Sequence, residues 1–181
     1  MEGQPNLGSS SQPTDGEAAQ AKAQAFLREI QARQNLTFGI LGGLVAAAIG
    51  AALWAIVTVI TGVQIGWMAV GVGALIGVAV RIFGKGITKV FGVVGAILAL
   101  LGCLAGNILS VCIYASREWD VPLLQLLGAL DLKILVELLK ATFSPIDVLF
   151  YGLAVYQGYK YSFRKVTAQE MANVVTPTPQ Q

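Results

Sequence analysis

The sequence predicts an all-α fold, an integral membrane four-helix bundle with an additional interfacial amphipathic helix region. The first observation behind this prediction is an uncharged run from Gln34 to Val80, and the second is another uncharged run from Val90 to Ser116. A helix needs roughly 20 apolar residues to cross a bilayer, so the first run can hold two crossings and the second one more. The third observation is composition: 12% of the residues are charged, whereas soluble domains carry about 25%.

The two ends of the chain are predicted to be polar segments outside the membrane. Residues 1–16 and 166–181 offer little that could be buried, and both are expected to be disordered tails. Residues 17–35 are strong helix formers and predict a polar cytoplasmic helix. This helix is either a solvated extension of the first span or a docking element for a partner. No cleavable signal peptide is predicted, because a polar segment precedes the first apolar one.

A transmembrane domain is predicted over residues 36–165. Its four spans are expected at about 37–61, 65–80, 90–114 and 145–163. The turn between the first two spans is so short that they must be antiparallel neighbours. The last span is expected to begin with Ser144 as its N-cap, Pro145 at the first position and Asp147 at the third. Its end combines tyrosines with basic residues, which marks a membrane–water boundary.

Residues 121–143, between the third and fourth spans, are predicted to form surface helices. On a helix the charged residues of this segment share one face and its apolar residues share the other, as in helices that lie at a membrane surface. Asp120 and Asp131 are expected to cap two successive pieces, with Gly128 ending the first. The sequence leaves open whether the segment is one broken helix or two short helices.

Basic residues predict the orientation, because Lys and Arg are enriched in the cytoplasmic loops of membrane proteins. In the predicted topology, nine of the 12 basic residues lie on the same side as the two termini. They are Lys22, Arg28, Arg33, Arg81, Lys85, Lys89, Lys160, Arg164 and Lys165. Trp54, Trp67 and Trp119 fall in the half of the membrane that is farther from the two termini, or at the boundary of that half with water. Both termini are therefore expected to be cytoplasmic.

Small residues recur at four-residue spacing in the predicted spans. The glycines concerned are Gly39, Gly43, Gly50, Gly73, Gly77, Gly102 and Gly106. Lipid chains are as apolar as leucine, so helices in a membrane associate through close backbone packing, which small residues allow. The pattern predicts tight packing within the chain, and the alternative is a face for self-association into an oligomer.

Asn107 is the main polar side chain inside a predicted span, and Asp147 is the only carboxylate near the body of one. Asn107 is expected to hydrogen-bond a neighbouring helix, and Asp147 is expected to cap the fourth span. A polar pathway is the alternative for both. The chain has no histidine and shows no nucleophile–base pair or dinucleotide motif, so no catalytic residue, cofactor or metal site is predicted. A net charge of +2 without a basic patch predicts no nucleic-acid partner.

The stretch TGVQIGWMAVGVGALIGVAVR, from Thr61 to Arg81, follows GLVAAAIGAALWAIV. This glycine-rich apolar sequence pattern resembles that of small uncharacterised bacterial membrane proteins with several glycine-rich spans. The resemblance covers the first three predicted spans. It implies a location in the cytoplasmic (inner) membrane of a bacterium, and it implies no activity and no site residues.

These observations predict a non-enzymatic, multi-pass membrane protein with a structural or accessory role. Its expected partners are the lipid bilayer and either a membrane protein or a second copy of the chain. The alternative is a small transporter or channel. Ion-coupled transporters bury ionisable groups in their spans, whereas the first three spans here hold none except two thiols, which favours the accessory role.

Overall fold

The computed structural model describes residues 14–142 and 144–175, and every regular element within these ranges is a helix. The predicted all-α class is confirmed. In chain order the described helices are α1 (Asp15–Ala32), α2 (Leu36–Thr61), α3 (Trp67–Gly84), α4 (Lys89–Trp119), α5 (Leu123–Gly128), α6 (Leu132–Thr142), α7 (Pro145–Tyr161) and α8 (Ala168–Val175). They belong to two compact units. One contains α1 and α8, and the other contains α2 to α7.

In the first unit α1 and α8 pack against each other. Each helix begins with a threonine followed three residues later by a glutamate. The Thr14 backbone N–H donates to the Glu17 carboxylate at 2.8 Å, and the Thr167 N–H donates to the Glu170 carboxylate at 3.1 Å. Such pairs are favourable because the first turn of a helix presents free N–H groups and the positive end of the helix dipole.

Helix α8 corrects the prediction of a disordered tail from residue 166 onward. Residues Ala168–Val175 are helical because the Thr167–Glu170 pair supplies a helix start and α1 supplies a packing partner. Residues 1–13 and 176–181 lie outside the described residues, so disorder there stays a prediction.

The second unit has a core of four helices, α2, α3, α4 and α7. α2 and α7 each contact both α3 and α4, and α3 also contacts α4. Trp54, Ile76 and Val80 are among the largest fully buried side chains of this core. The outward faces of the same helices are also apolar, and Ile60 is 78% exposed. Helices that are apolar on all sides suit an apolar surrounding such as a membrane.

Three helices of the described ranges, α2, α3 and α4, are long and apolar enough to cross a membrane. α6 and α7 would add a fourth span if this pair, which is bent by 109°, crosses as one. α4 is longer than the third span expected from the sequence, because its helix continues through the charged residues Arg117 and Glu118 to Trp119.

Asp120 ends α4 and does not cap α5, so that sequence expectation is wrong. Its backbone is left-handed, with φ 52°, and its N–H donates to the Ser116 carbonyl, a helix ending that aspartate tolerates better than most residues. Asp131 does cap α6, since its Oδ1 accepts a hydrogen bond from the Ile134 N–H at 2.7 Å. The described part of residues 121–143 therefore forms two short helices, α5 and α6.

The two ends of the second unit differ in charge. The basic end holds the α3–α4 loop and the residues just before α2 and after α7. Its charged residues within 33–165 are all positive: Arg33, Arg81, Lys85, Lys89, Lys160, Arg164 and Lys165. The opposite end, called the α5–α6 end, carries Glu118, Asp120, Asp131, Glu137 and Asp147 beside Arg117, Lys133 and Lys140.

Hydrogen bonds hold the α3–α4 loop at the basic end. The Gln34 side-chain oxygen accepts from the Ile87 N–H and from the Thr88 hydroxyl, both at 3.2 Å. The Arg164 N–H donates to the Gly86 carbonyl at 2.8 Å. The segments before α2 and after α7 are thereby tied to the same loop, which keeps the basic residues of three segments together.

Candidate functional site: a buried polar cluster between α2, α4 and α7

The seven glycines singled out from the sequence are buried, and each faces another helix of the same chain. They are Gly39, Gly43 and Gly50 on α2, Gly73 and Gly77 on α3, and Gly102 and Gly106 on α4. A methyl group added at Gly50 would lie 2.9 Å from Val72 Cγ1, and one at Gly106 would lie 3.0 Å from Trp54 Cβ. These glycines therefore pack inside the chain and do not offer a free face for self-association.

The closest helix crossings join α7 to α3 and to α4. A methyl group at Gly73 would lie 2.8 Å from the Ala154 Cα atom, so α3 and α7 meet backbone to backbone there. A methyl group at Gly158 on α7 would lie 2.6 Å from the Gly95 carbonyl oxygen on α4. Because backbone atoms cannot rotate away as side chains do, these crossings require glycine.

Sequence reasoning missed Gly95 and Gly158. Each belongs to a pair of small residues at four-residue spacing, Gly95 with Ala99 and Ala154 with Gly158. The rule that found the other glycines could have found these two. Gly158 lies among the tyrosines and the lysine of the last span, which suggest an interface more than a packing face, whereas Gly95 lies in the third span and fits the pattern directly.

The polar cluster consists of Trp54 on α2, Asn107 on α4, Thr142 at the end of α6, and Asp147 and Tyr151 on α7. Asn107 and Asp147, the two residues named from the sequence as a possible polar pathway, both lie in it. All members except Thr142 are buried. No sequence pattern points to Trp54, Thr142 or Tyr151 as members of the cluster, because their place in it depends on how the helices pack.

Asn107 connects α4 to the end of α6. Its Nδ2 donates a hydrogen bond to the Thr142 Oγ1 at 3.2 Å. The Thr142 hydroxyl in turn donates to the Leu138 carbonyl one turn earlier at 2.8 Å. Asn107 is 2% exposed, and a buried amide of this kind needs a partner, because a buried polar group left without one costs about 1–3 kcal/mol.

Asp147 serves the start of α7. Its Oδ2 accepts a hydrogen bond from the Ser144 N–H at 2.8 Å, and the Ser144 side chain accepts from the Asp147 N–H in return, which completes a capping box. Pro145 occupies the first turn, where its missing N–H is no loss. The carboxylate is therefore placed where the helix N-terminus stabilises negative charge.

Tyr151 joins the two polar residues to α2. Its buried side chain lies near those of Asn107 and Asp147. Its ring stands edge to face with the ring of Trp54, with the centroids 6.3 Å apart and the planes at 77°. The cluster thus spans three core helices through one hydrogen-bonded asparagine, one capping carboxylate and one aromatic pair.

Two polar atoms in or beside the cluster have no hydrogen-bond partner among the described residues. They are the Trp54 indole Nε1 and, one turn further along α2, the Thr58 Oγ1. Both side chains are more than nine-tenths buried. Buried polar atoms without partners are uncommon in native structures.

An apolar cavity of about 600 Å³ lies next to the cluster, between the last turns of α4 and the two short helices. It is lined by Cys112, Trp119, Leu126, Ile134 and Leu138 together with neighbouring residues. Glu118 is the one charged residue in the lining. α5 and α6 therefore cover the end of α4 without filling the space against it.

The chemistry available to the cluster is hydrogen bonding. Within the part of the chain that the structure describes, no three His, Cys, Asp or Glu side chains come together as a metal-binding group. Cys103 and Cys112 are free and buried. No protein-family model, curated protein or solved structure matches the chain. The function is therefore inferred from the placement of the residues alone.

Gly73→Ala should destabilise the protein, because the new methyl group meets the Ala154 backbone and α3 and α7 must move apart. Overpacking of this kind costs about 1–3 kcal/mol. Gly71→Ala is the matched control on the same helix, since a methyl group there meets no described atom within 4 Å. Thermal unfolding in a mild detergent should show a lower midpoint for Gly73→Ala only. Equal midpoints for the two variants would contradict the α3–α7 contact.

Proposed function

We propose that the chain is a non-enzymatic, multi-pass membrane protein with a structural or accessory role, in which α2, α3, α4 and α7 form a four-helix transmembrane bundle. The apolar outward faces of these helices carry the proposal. Outward residues such as Val45, Ile60 and Leu101 are at least half exposed. Burying apolar surface is worth about 25 cal/mol per Å², so lipid is a far better surrounding for these faces than water.

α7 is proposed as the fourth span because of what it contacts and what it exposes. Its inner side meets the backbones of α3 and α4 at Ala154 and Gly158. Its outer side exposes Ile146, Val148 and Leu149. The first turns of α7 therefore expose apolar side chains outward, as the three longer core helices do.

The proposed orientation follows from the charge difference between the ends. Positive residues favour the cytoplasmic side of a membrane, so the basic end is proposed to face the cytoplasm. α2 begins there and α7 ends there, which puts both termini in the cytoplasm. The resemblance of Thr61–Arg81 to small bacterial membrane proteins supports the bacterial inner membrane as the location.

The accessory role is supported by what the polar groups of the core already do. Asp147 is engaged in a capping box and Asn107 is bonded to Thr142, so both have structural partners. α5 and α6 have no buried residue among those described, and they expose Leu124 and Leu132. We place the binding of a membrane-protein partner, or of a second copy of the chain, on this pair of helices.

A small transporter or channel is the second candidate function. It is favoured by Trp54 Nε1 and Thr58 Oγ1, which are buried without hydrogen-bond partners among the described residues. Trp54 belongs to the polar cluster through its ring contact with Tyr151, and its indole N–H is available to a small polar solute. This function would give the polar cluster a role beyond holding helices together.

Cysteine labelling tests the topology. With a membrane-impermeant maleimide and intact spheroplasts, Gln64→Cys should be labelled, because the α2–α3 turn is proposed to lie outside the cytoplasm. Lys85→Cys and Lys165→Cys should be labelled only after the membrane is permeabilised. The unsubstituted protein is the control, since its two cysteines are buried.

Two labelling results would contradict the proposed topology in different ways. Labelling of Gln64→Cys and Lys85→Cys from the same side would exclude α3 as a span. Labelling of Lys165→Cys from outside would mean that α7 does not cross the membrane, leaving three spans.

Flux measurements in proteoliposomes separate the two candidate functions. The accessory role predicts no flux of protons, Na⁺, K⁺ or small solutes above that of protein-free vesicles. Flux that is lost in Asp147→Asn and kept in Glu137→Gln would contradict the accessory role and support a transporter. Glu137 is the matched control because it is an exposed carboxylate on α6, outside the core.

A further inference from the structure

The four core helices do not end at the same height at the α5–α6 end. α2 and α4 run on together to the top of the unit. The Tyr114 hydroxyl on α4 donates to the Thr58 carbonyl on α2 at 2.8 Å, and both residues lie in the last two turns of their helices. This pair forms the taller side, called the α2–α4 face.

α3 begins well below that height. Ala69, in its first turn, lies beside Cys103, whose sulfur is 3.9 Å from the Ala69 carbonyl oxygen. From Cys103, α4 continues to Trp119, a distance of about 24 Å at 1.5 Å per residue. Most of the last third of α4 therefore has no α3 next to it.

α7 begins beside α3. The rings of Trp67 and Phe150 stand edge to face with centroids 5.8 Å apart, so the first turn of α3 and the second turn of α7 are neighbours. Thr142, just before α7, is bonded to Asn107, which lies about 18 Å below Trp119 along α4. α3 and α7 thus form a shorter side, called the α3–α7 face, opposite the α2–α4 face.

The helices of the two faces also differ in length. Val90–Ser116 of α4 is about 40 Å long and the whole of α2 is about 39 Å at 1.5 Å per residue. α3 from Trp67 to Gly84 is about 27 Å long and α7 from Pro145 to Tyr161 is about 26 Å. The hydrocarbon layer of a typical bilayer is about 30 Å thick. The α2–α4 face is therefore about 10 Å taller than this layer, and the α3–α7 face is a few Å shorter than it.

We infer that the bilayer is thinned where it meets the α3–α7 face, so that this face is a binding surface for a locally thin lipid layer. The inference rests on the proposed function, in that the core helices must cross a membrane. Bilayers adapt to short spans by thinning, at a cost of fractions of a kcal/mol per Å. This cost is small enough for ordinary lipids to adapt to the α3–α7 face.

Interface-seeking residues at both ends of the α3–α7 face give independent support. Trp67, which is 69% exposed, stands at the start of α3, and Arg81 stands at its end. On α7 the Lys160 ammonium lies over the rings of Tyr156 and Tyr161, 5.6 and 5.8 Å from their centroids. Tryptophan, tyrosine and basic residues gather at membrane–water interfaces. The α3–α7 face therefore carries residues typical of a membrane–water interface at both of its ends.

The thin layer would change the surroundings of the polar cluster. Asp147 and Asn107 lie at the height of Trp67, so on this side they stand at the lipid boundary instead of inside the hydrocarbon. Local thinning is one of the ways in which a membrane tolerates charged groups. Local thinning would therefore explain why the fourth span can carry the buried carboxylate of Asp147, although the first three spans carry no charge.

Fluorescence quenching by lipids brominated at known depths tests the inference. The full chain is reconstituted with phosphatidylcholines that carry bromine near the carbonyl, at mid-chain or near the chain end. The signals of Trp67 and Trp119 are obtained by subtracting those of Trp67→Phe and Trp119→Phe from that of the unsubstituted protein. Both side chains are exposed, so their replacement should leave folding intact, and Trp54 is a common background.

The inference predicts that Trp67 and Trp119 are both quenched most strongly by bromine near the carbonyl, although they differ in height on the protein. Strongest quenching of Trp67 by bromine at mid-chain or near the chain end would show a flat bilayer fitted to the tall face, and would overturn the inference. Shallow quenching of Trp67 with none of Trp119 would show a flat bilayer fitted to the short face, and would also overturn it. Quenching of neither residue would contradict the membrane-spanning proposal itself.

Discussion

The structure of the second unit depends on one interaction, the backbone contact of α7 with α3 and α4. α7 has 17 residues, and it reaches its neighbours through Ala154 and Gly158. In lipid, which is the proposed surrounding of this unit, there is no hydrophobic force to press helices together, so dispersion between closely approaching backbones must hold them. Each atom pair contributes only about 0.1–0.2 kcal/mol, and the contact is effective because glycine lets many pairs form at once.

The position of α7 determines the rest of the α5–α6 end. Its capping box brings Asp147 into the core, and its second turn brings Tyr151 against Trp54. The segment before it places Thr142 within reach of Asn107. The polar cluster and the difference in height between the two faces therefore have the same origin. Both arise because α3 and α7 start next to each other, far below the ends of α2 and α4.

Local sequence chemistry was enough to predict several elements. Two uncharged runs predicted α2, α3 and α4, and the Ser144–Asp147 pattern predicted the start of α7. The sequence predictions were wrong where contact with a neighbouring helix determines whether a segment is helical. α8 forms against α1, and α4 continues through Arg117 to Trp119 with α5 and α6 alongside. The cluster and the short face could not be predicted, because they depend on which residues of different helices lie at the same height.

Hydrogen exchange of the full chain in lipid nanodiscs, resolved by peptide, tests the central claim that α7 is a packed core helix. The account predicts that the amides of residues 149–161 exchange as slowly as those of residues 93–110 in α4, and more slowly than those of α5 and α6. Exchange of α7 as fast as that of α5 and α6 would show that its contacts with α3 and α4 do not hold, and would contradict the account.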